Sequence, residues 1–347
     1  FPEKDAGSAA EMKRRRDMSK ILTITIPSYN VEPYMNEVLP TFLDPAVMDK
    51  IEILIVNDGS KDGTAALGKE YEAKYPGVIT LVDKENGGHG STINKGIELA
   101  TGKYFKVVDG DDWVDTAAFV KFVNFLEKTD SDVVATPHYR VNEETKEKEL
   151  RGFEGVEYEK EYRVDDVLLT LRDKYQMHNL TFKTDIVRKI PKISEHCFYV
   201  DVEYIMYPLK YLETISFLNE AVYQYRVGNA NQSVSTQNFM KNRNMHKHVI
   251  GNVLKYYETE ELSAAKKEFL KKRISLLIDT QIRIYLCFEP SDEIKQELLE
   301  FYHNVKNTDP TLLDMLEGKI FKLLKVGDCS LYNMIARKYS KESHELG

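Results

Sequence analysis

Lys103-Tyr104-Phe105-Lys106-Val107-Val108-Asp109-Gly110-Asp111-Asp112-Trp113 joins an apolar, β-prone run to three carboxylates within four residues. Carboxylates packed this closely repel one another and call for a counter-ion. A hard divalent cation such as Mg²⁺ or Mn²⁺ supplies one and keeps coordination positions for phosphate oxygens. Asp109 and Asp111, at i and i+2, project to the same side of an extended chain, so both can reach one ion. Acidic turns after strands are also common as plain solvated turns. The surrounding sequence has to decide between the two.

Upstream, three further segments read as buried strands: Ile21–Ile26, stopping at Pro27; Ile51–Val56, stopping at Asn57-Asp58-Gly59-Ser60; and Val78–Val82. Stretches of helical length lie between them, at Tyr34–Phe42, Thr64–Lys74 and Ser91–Ala100. Strand and helix alternating at this spacing indicate an α/β fold built on a mostly parallel, doubly wound, Rossmann-like sheet. Ligands of such sheets bind beyond the carboxyl ends of the strands. The polar clusters Ser28-Tyr29-Asn30, Asn57–Ser60, Asn86–Gly90 and Asp109–Asp112 all fall at those ends. Downstream come a strand at Asp132–Thr136, a charged stretch at Asn142–Arg151, and two short strands within Ile215–Val227. From about Gln237 the chain turns helical, with long segments at Leu262–Ile282 and Asp292–Val305.

Composition narrows the class. The 347 residues are 42% hydrophobic and 30% charged, enough for a sizeable core in one large or two ordinary domains. A net charge of −8 speaks against a nucleic-acid binder, which would carry a basic stripe. Cys197, Cys287 and Cys329 are scattered and odd in number, as expected of a reduced cytoplasmic protein. No apolar run is long enough to span a bilayer. Residues 1–17 read as an expression remnant or leader, with the natural start at Met18 and a basic cluster at Lys13–Arg16.

With the clusters in order, residues Met18–Ser235 resemble glycosyltransferase family 2, nucleotide-sugar transferases of GT-A fold. The resemblance runs through Thr25-Ile26-Pro27-Ser28-Tyr29-Asn30, Ile55–Thr64, Asn86-Gly87-Gly88, Asn94-Lys95-Gly96, Ala100–Tyr104 and Val108–Trp113. It implies a GT-A domain at 18–235 followed by a helical C-terminal region at 236–347. The implied activity is inverting, metal-dependent transfer of a sugar from a nucleoside diphosphate donor, UDP by family bias, in surface polysaccharide or glycoconjugate synthesis. The acceptor would be a saccharide or a lipid-linked saccharide.

The same resemblance implies a site. Pro27, Ser28, Tyr29, Asn30, Asp58, Gly88, Asn94, Asp109, Gly110 and Arg226 would line the donor. Asp109 and Asp111 would hold Mn²⁺ or Mg²⁺, and Asp201 would be the general base, with Glu203 two residues on as its competitor. Asp112 is expected to cap a helix that Trp113 opens, with contact to the ion as its alternative. Tyr29 either stacks on a pyrimidine or fills the core, and Asp58 either binds the nucleoside or makes a turn ahead of Gly59. Arg226, ahead of Asn231-Gln232-Ser233, would face the diphosphate or make a surface salt bridge. His178, Asn179 and His196 would line the acceptor side. Two departures stand out: Ile93 occupies the place of a usual Arg, beside an unusual His89, and Val200 precedes Asp201 where a Glu is usual.

The basic stretch Lys266–Leu277 would either rest on an anionic membrane at the inner face or bury its stripe as an ordinary helix. The helical third also offers a surface for a homodimer. Two rivals remain at this level: a nucleotidyltransferase, and a non-catalytic nucleotide-sugar-binding or scaffold subunit.

Overall fold

The structure, a computed structural model, describes residues 20–171, 174–228 and 235–341. The expected leader at 1–17, the Met18 start and Asn231–Ser233 lie outside those residues. Contacts divide the chain into two units, one of residues 1–164, 173–196 and 211–226, the other of 165–172, 197–210 and 227–347.

The first unit is built on an eight-stranded sheet. Its strands are β1 (Leu22–Ser28), β2 (Ile51–Asp58), β3 (Ile79–Lys84), β4 (Tyr104–Val107), β6 (Val133–Ala135), β9 (Glu161–Arg163), β10 (Leu180–Lys183) and β11 (Thr214–Phe217). They lie in the order β3-β2-β1-β4-β10-β6-β11-β9. The four strands of the β3–β4 half are all parallel, whereas β10 runs antiparallel to both β4 and β6. Every residue of β1 is buried, including Thr23 and Thr25, as befits a strand covered on both faces. The crossovers carry α1 (Glu32–Val38), α2 (Thr64–Lys74) and α3 (His89–Leu99). A Cβ on Gly96 would sit 2.1 Å from Thr25 Oγ1, so α3 packs this close to β1 only because that residue is glycine.

The expected Tyr34–Phe42 helix is α1 followed by a 3₁₀ turn over Leu39–Phe42. Pro40 sits in the first turn of that 3₁₀ segment, where its missing N–H cannot continue the α ladder. Trp113 does not open a helix. Trp113–Val114 is a short strand, β5, paired antiparallel with β12 (Tyr223–Val227). The helix α4 (Thr116–Lys128) starts one turn later, and its cap is Asp115, which accepts from Ala118 N at 3.0 Å. Asp112 is thereby released from the expected capping role.

The charged stretch Asn142–Arg151 is also ordered. It is a hairpin of β7 (His138–Asn142) and β8 (Lys148–Arg151), turned by Asn142 Oδ1 accepting from Glu144 N and Thr145 N. These strands complete a second sheet, β5-β12-β7-β8, in which β8 is an exposed edge.

The second unit is helical, with α5 (Val164–Leu171), α7 (Asp201–Met206), α8 (Thr236–Lys241), α9 (Arg243–Thr259), α10 (Ala264–Leu286), α11 (Asp292–Thr308), α12 (Pro310–Asp314), α13 (Lys319–Lys325) and α14 (Tyr332–Tyr339); the single-turn α6 (Thr184–Val187) belongs to the first unit. The basic stretch Lys266–Leu277 lies in α10 and behaves as an ordinary helix. Phe269, Leu270, Ile274 and Ile278 are buried, and Lys271 and Lys272 pair with Asp309 and Glu268. No helix among the described residues is long and apolar enough to cross a membrane.

Candidate active site

The parallel strands deliver their carboxyl ends to one edge, and two loops there are sewn together. After β1, Asn30 takes a left-handed backbone (φ 54°). Asn30 N donates to Ser60 Oγ at 2.9 Å, Lys61 N to Asn30 Oδ1 at 2.8 Å, and Val31 N to Thr64 Oγ1 at 2.9 Å. Tyr29, next to this seam, is 51% exposed, which removes the core-filler reading. Pro27 and Ser28 are buried in β1, with Ser28 Oγ donating to Ile26 O. An open cleft of about 530 Å³ adjoins the ends of β2 and β3, lined by Asn57, Ser60, Lys61, Asp83, Lys84 and Asn86 among others.

Asp58, at the end of β2, is buried and fully engaged. It accepts from Gly87 N and Gly88 N, both at 2.8 Å, and from Lys84 Nζ at 2.6 Å. The turn expected of Asp58 is made by its neighbour, since Asn57 Oδ1 accepts from Ser60 N. Gly88 (φ 81°) leads straight into α3. Asn94, on α3, is spent on the chain at Ile193: its Nδ2 donates to Ile193 O and its Oδ1 accepts from Ile193 N. His196, expected on the acceptor side, donates its backbone N–H to Gly87 O.

Beyond β4, Asp109–Asp112 form a turn closed by Asp112 N donating to Asp109 O at 3.0 Å. The Tyr223 hydroxyl bridges it, accepting from Asp109 N at 3.2 Å and donating to Asp112 Oδ2 at 2.6 Å. Burial and then the charges of Asp112 and Asp109 hold that hydroxyl well above its ordinary pKa, so it stays a donor. A Cβ on Gly110 would sit 2.7 Å from Pro27 O, so this turn fits against β1 only with glycine between the acids.

The three carboxyls differ. Burial pushes Asp109 up, but His89 wins, its Nε2 lying 2.9 Å from Asp109 Oδ1, and the group ends below its usual range. Burial and the nearby Asp109 raise Asp111 to about 6. Asp112, only 1% exposed, is pushed well above the carboxylate range by burial and then by Asp111 and Asp109. Without a counter-ion the turn resists carrying three negative charges at once, which is how crowded carboxyls at a cation site behave.

Arg226 is almost wholly buried and held from several directions. Its backbone N donates to Asp112 Oδ1 at 2.7 Å and its Nε to Asp111 O at 2.7 Å; Nη2 meets Glu37 at 3.0 Å and Nη1 meets Glu143. The guanidinium also lies over the rings of Trp113 and Tyr34. It braces the acidic turn from beneath and does not present an unengaged face to a diphosphate. Ile93 is fully buried, so no cation stands where the family's Arg would be.

Asp201 belongs to the second unit, as the first residue of α7. Tyr199 before it has φ 66° and stacks flat on Phe239 at 4.8 Å. Glu203 is completely buried and accepts from Asn252 Nδ2 at 2.8 Å. In the first unit, therefore, the structure gathers Asp109, Gly110 and Asp111 on the turn that Arg226 braces, while Asp58 holds Gly88 in a separate set of bonds. Sequence reasoning overlooked Tyr223, Lys84, Glu37 and Glu143. A tyrosine one residue beyond the predicted turn of a strand carries no signal of the acid it will meet.

A family model described as "Glycosyl transferase family 2" matches residues 23–190. Those residues belong to glycosyltransferase family 2. The family 2 segment holds the seam, Asp58, α3 and the acidic turn. Beyond it, the chain is 28% identical over 235 residues to the minor teichoic acid biosynthesis protein GgaB of Bacillus subtilis, covering 65% of this chain and 25% of that protein. The chain spans between a quarter and about a third of the length of the first curated relatives it matches.

Among solved structures it resembles residues 1–349 of S. aureus TarS (TM-score 0.65, 17% identity, 93% of this chain and 92% of that one), a fragment also solved with UDP-GlcNAc. It also resembles the mannosyltransferase PcManGT of Pyrobaculum calidifontis, solved with GDP-Man and Mn²⁺ (TM-score 0.50, 15% identity, 92% and 86% covered). These likenesses establish the GT-A fold.

Proposed function

We propose that the chain transfers a glycosyl group, with inversion, from a nucleoside diphosphate sugar to a hydroxyl of a saccharide or lipid-linked saccharide. The observation that carries this is the acidic turn at the end of β4, on which Asp109 pairs with His89 while Asp111 and Asp112 are pushed above their normal range. In a family 2 segment such a turn is a cation site, and Asp109 and Asp111 would hold the ion. The cation, when bound, supplies positive charge against the departing diphosphate.

The protein's own groups do the rest. Tyr29, exposed beside the fixed seam, offers a face for the nucleobase. Asp58 keeps the Gly87–Gly88 loop in place, and Arg226, through Asp111 O, positions the acids. Asp201 is assigned as the base that takes the acceptor's proton, on the family resemblance. UDP is the proposed nucleotide, supported by the UDP-GlcNAc held by TarS, and surface glycopolymer synthesis is the proposed role, supported by the name of GgaB. Residues 18–235 would carry the chemistry and 236–347 a supporting helical region, in a cytoplasmic protein.

The test is calorimetric titration with UDP, GDP and CMP, each with Mn²⁺ and with EDTA, followed by NMR of the product's anomeric centre. Metal-dependent binding of one nucleotide, lost in Asp111→Asn, together with an inverted product, is the expected result. Absence of nucleotide binding under every condition would leave the scaffold reading.

A further inference from the structure

His178, assigned by sequence to the acceptor side, sits instead beside the acidic turn. It reaches there from the chain just before β10, the strand that pairs antiparallel with β4. One ligand atom from each of Asp109, Asp112 and His178 falls within a cluster whose members all lie within 4.8 Å of one another. Asp111 is not part of that cluster. Three donors drawn from two separate elements, at this spacing, can close on one ion.

The ring of His178 is fixed by packing. It stacks on Tyr225 (4.1 Å between centroids, 24° between planes) and meets the edge of Tyr223 at 4.8 Å and His138 at 5.3 Å. Its backbone is fixed too. Strands β4 and β10 pair through Phe105 with Phe182 and Tyr104 with Lys183, and past them the side chain of Lys106, fully buried, takes over. Lys106 Nζ donates to His178 O at 3.0 Å and to Leu180 O at 3.3 Å.

Against this rigid setting, His178 Nδ1 is buried with no hydrogen-bond partner. A buried ring nitrogen is costly to leave unpaired, and most such nitrogens in native proteins have a partner. The acids retain capacity: each oxygen of Asp112 accepts one bond, from Tyr223 or Arg226, and a carboxylate offers about four sites.

We infer that His178 is a further ligand of the cation proposed for the acidic turn, joining the carboxylates there from the side of Asp109 and Asp112, and that it selects Mn²⁺ over Mg²⁺. The inference rests on the proposed reading of the acidic turn as a cation site. Mg²⁺ favours all-oxygen octahedra and keeps its waters, whereas first-row transition ions accept an imidazole among carboxylates.

The experiment uses the purified chain with Mn²⁺, alone and with UDP, read by the loss of the free-ion paramagnetic signal and by pulsed measurement of ¹⁴N coupling to the bound ion. His178→Phe keeps a ring against Tyr225 and removes the donor; His178→Ala is the second variant, and thermal melting verifies that each is folded. The wild type should bind Mn²⁺ with ¹⁴N coupling. Both variants should lose the coupling and at least tenfold in Mn²⁺ affinity, with Mg²⁺ affinity changed less than threefold. His89→Ala should keep the coupling. Coupling that persists in His178→Phe, or disappears only in His89→Ala, overturns the assignment and leaves the cation site standing. Failure of the wild type to bind Mn²⁺ with or without UDP overturns both.

Discussion

The ends of β2 and β4 each carry buried acid, and they are built to opposite purposes. At β2, Asp58 faces a lysine ammonium and two backbone N–H groups, so its charge is spent inside the fold. At β4, Asp109 meets His89 and Asp112 meets the Tyr223 hydroxyl and Arg226 N, yet Asp111 and Asp112 are driven above their normal range. A compensated carboxylate tells of architecture, and a crowded one of a missing partner. The two motifs look alike as text, since both are acids following an apolar strand. Only the surroundings distinguish them.

Neutralising the acids separates the two ends most sharply. Asp109→Asn should cut turnover on the order of a hundred- to a thousandfold, the scale of removing a charge-stabilising group from an active site, while melting no lower than the wild type. Steady-state kinetics and calorimetric melting together read both effects. At the other end, Asp58→Ala removes the carboxylate that pairs with Lys84 and accepts from Gly87 N and Gly88 N, leaving the ammonium without its counter-charge. It should cost about 3–5 kcal/mol of stability, the range for breaking a buried pair, as measured by urea unfolding.

The pH response sharpens the contrast further. Burial and the nearby Asp109 hold Asp111 at about 6 in the folded chain, against an ordinary value of 3.8. Between those values the folded state binds the extra proton, so this group's contribution falls as pH rises through the window and is fully lost above about 6. The metal-free protein should therefore lose melting temperature between about pH 4 and 6.5. Asp111→Asn should flatten that part of the profile, and a wild-type profile that is already flat there would contradict it. The smallest effect belongs to the flank of the turn: Asp115→Ala removes the cap of α4 at about 1 kcal/mol, with Mn²⁺ affinity unchanged.

Much of this was legible in the sequence. Ile51–Val56 and Thr64–Lys74 are found almost as read, because a strand buried on both faces and a helix bounded by Gly63 and Tyr75 declare themselves locally. The crowding of Asp109 and Asp111 was legible because charge repulsion is local as well, and the proposed cation rests on that crowding. The capping role expected of Asp112 failed because two adjacent candidates, Asp112 and Asp115, compete, and pairing with β12 settles the matter from more than a hundred residues away. The partners of Arg226, Glu37 and Glu143, lie 189 and 83 residues away in sequence. The hairpin at β7–β8 was hidden because its strands carry charge in place of an alternating apolar face. That His178 stands beside the acidic turn was hidden because what fixes its backbone is a lysine on another strand.

That charged hairpin has a further consequence. An outermost strand leaves a row of amides and carbonyls open to any extended chain that drifts alongside, the starting point of self-templated aggregation. Lys148, Glu149 and Arg151 line β8, and β9, the outer strand of the large sheet, is three residues long with Glu161 and Arg163 at its ends. An incoming strand would have to bury these ions or match their alternating signs. The least regular-looking part of the sequence thus helps keep copies of the chain apart at the concentrations a cell imposes.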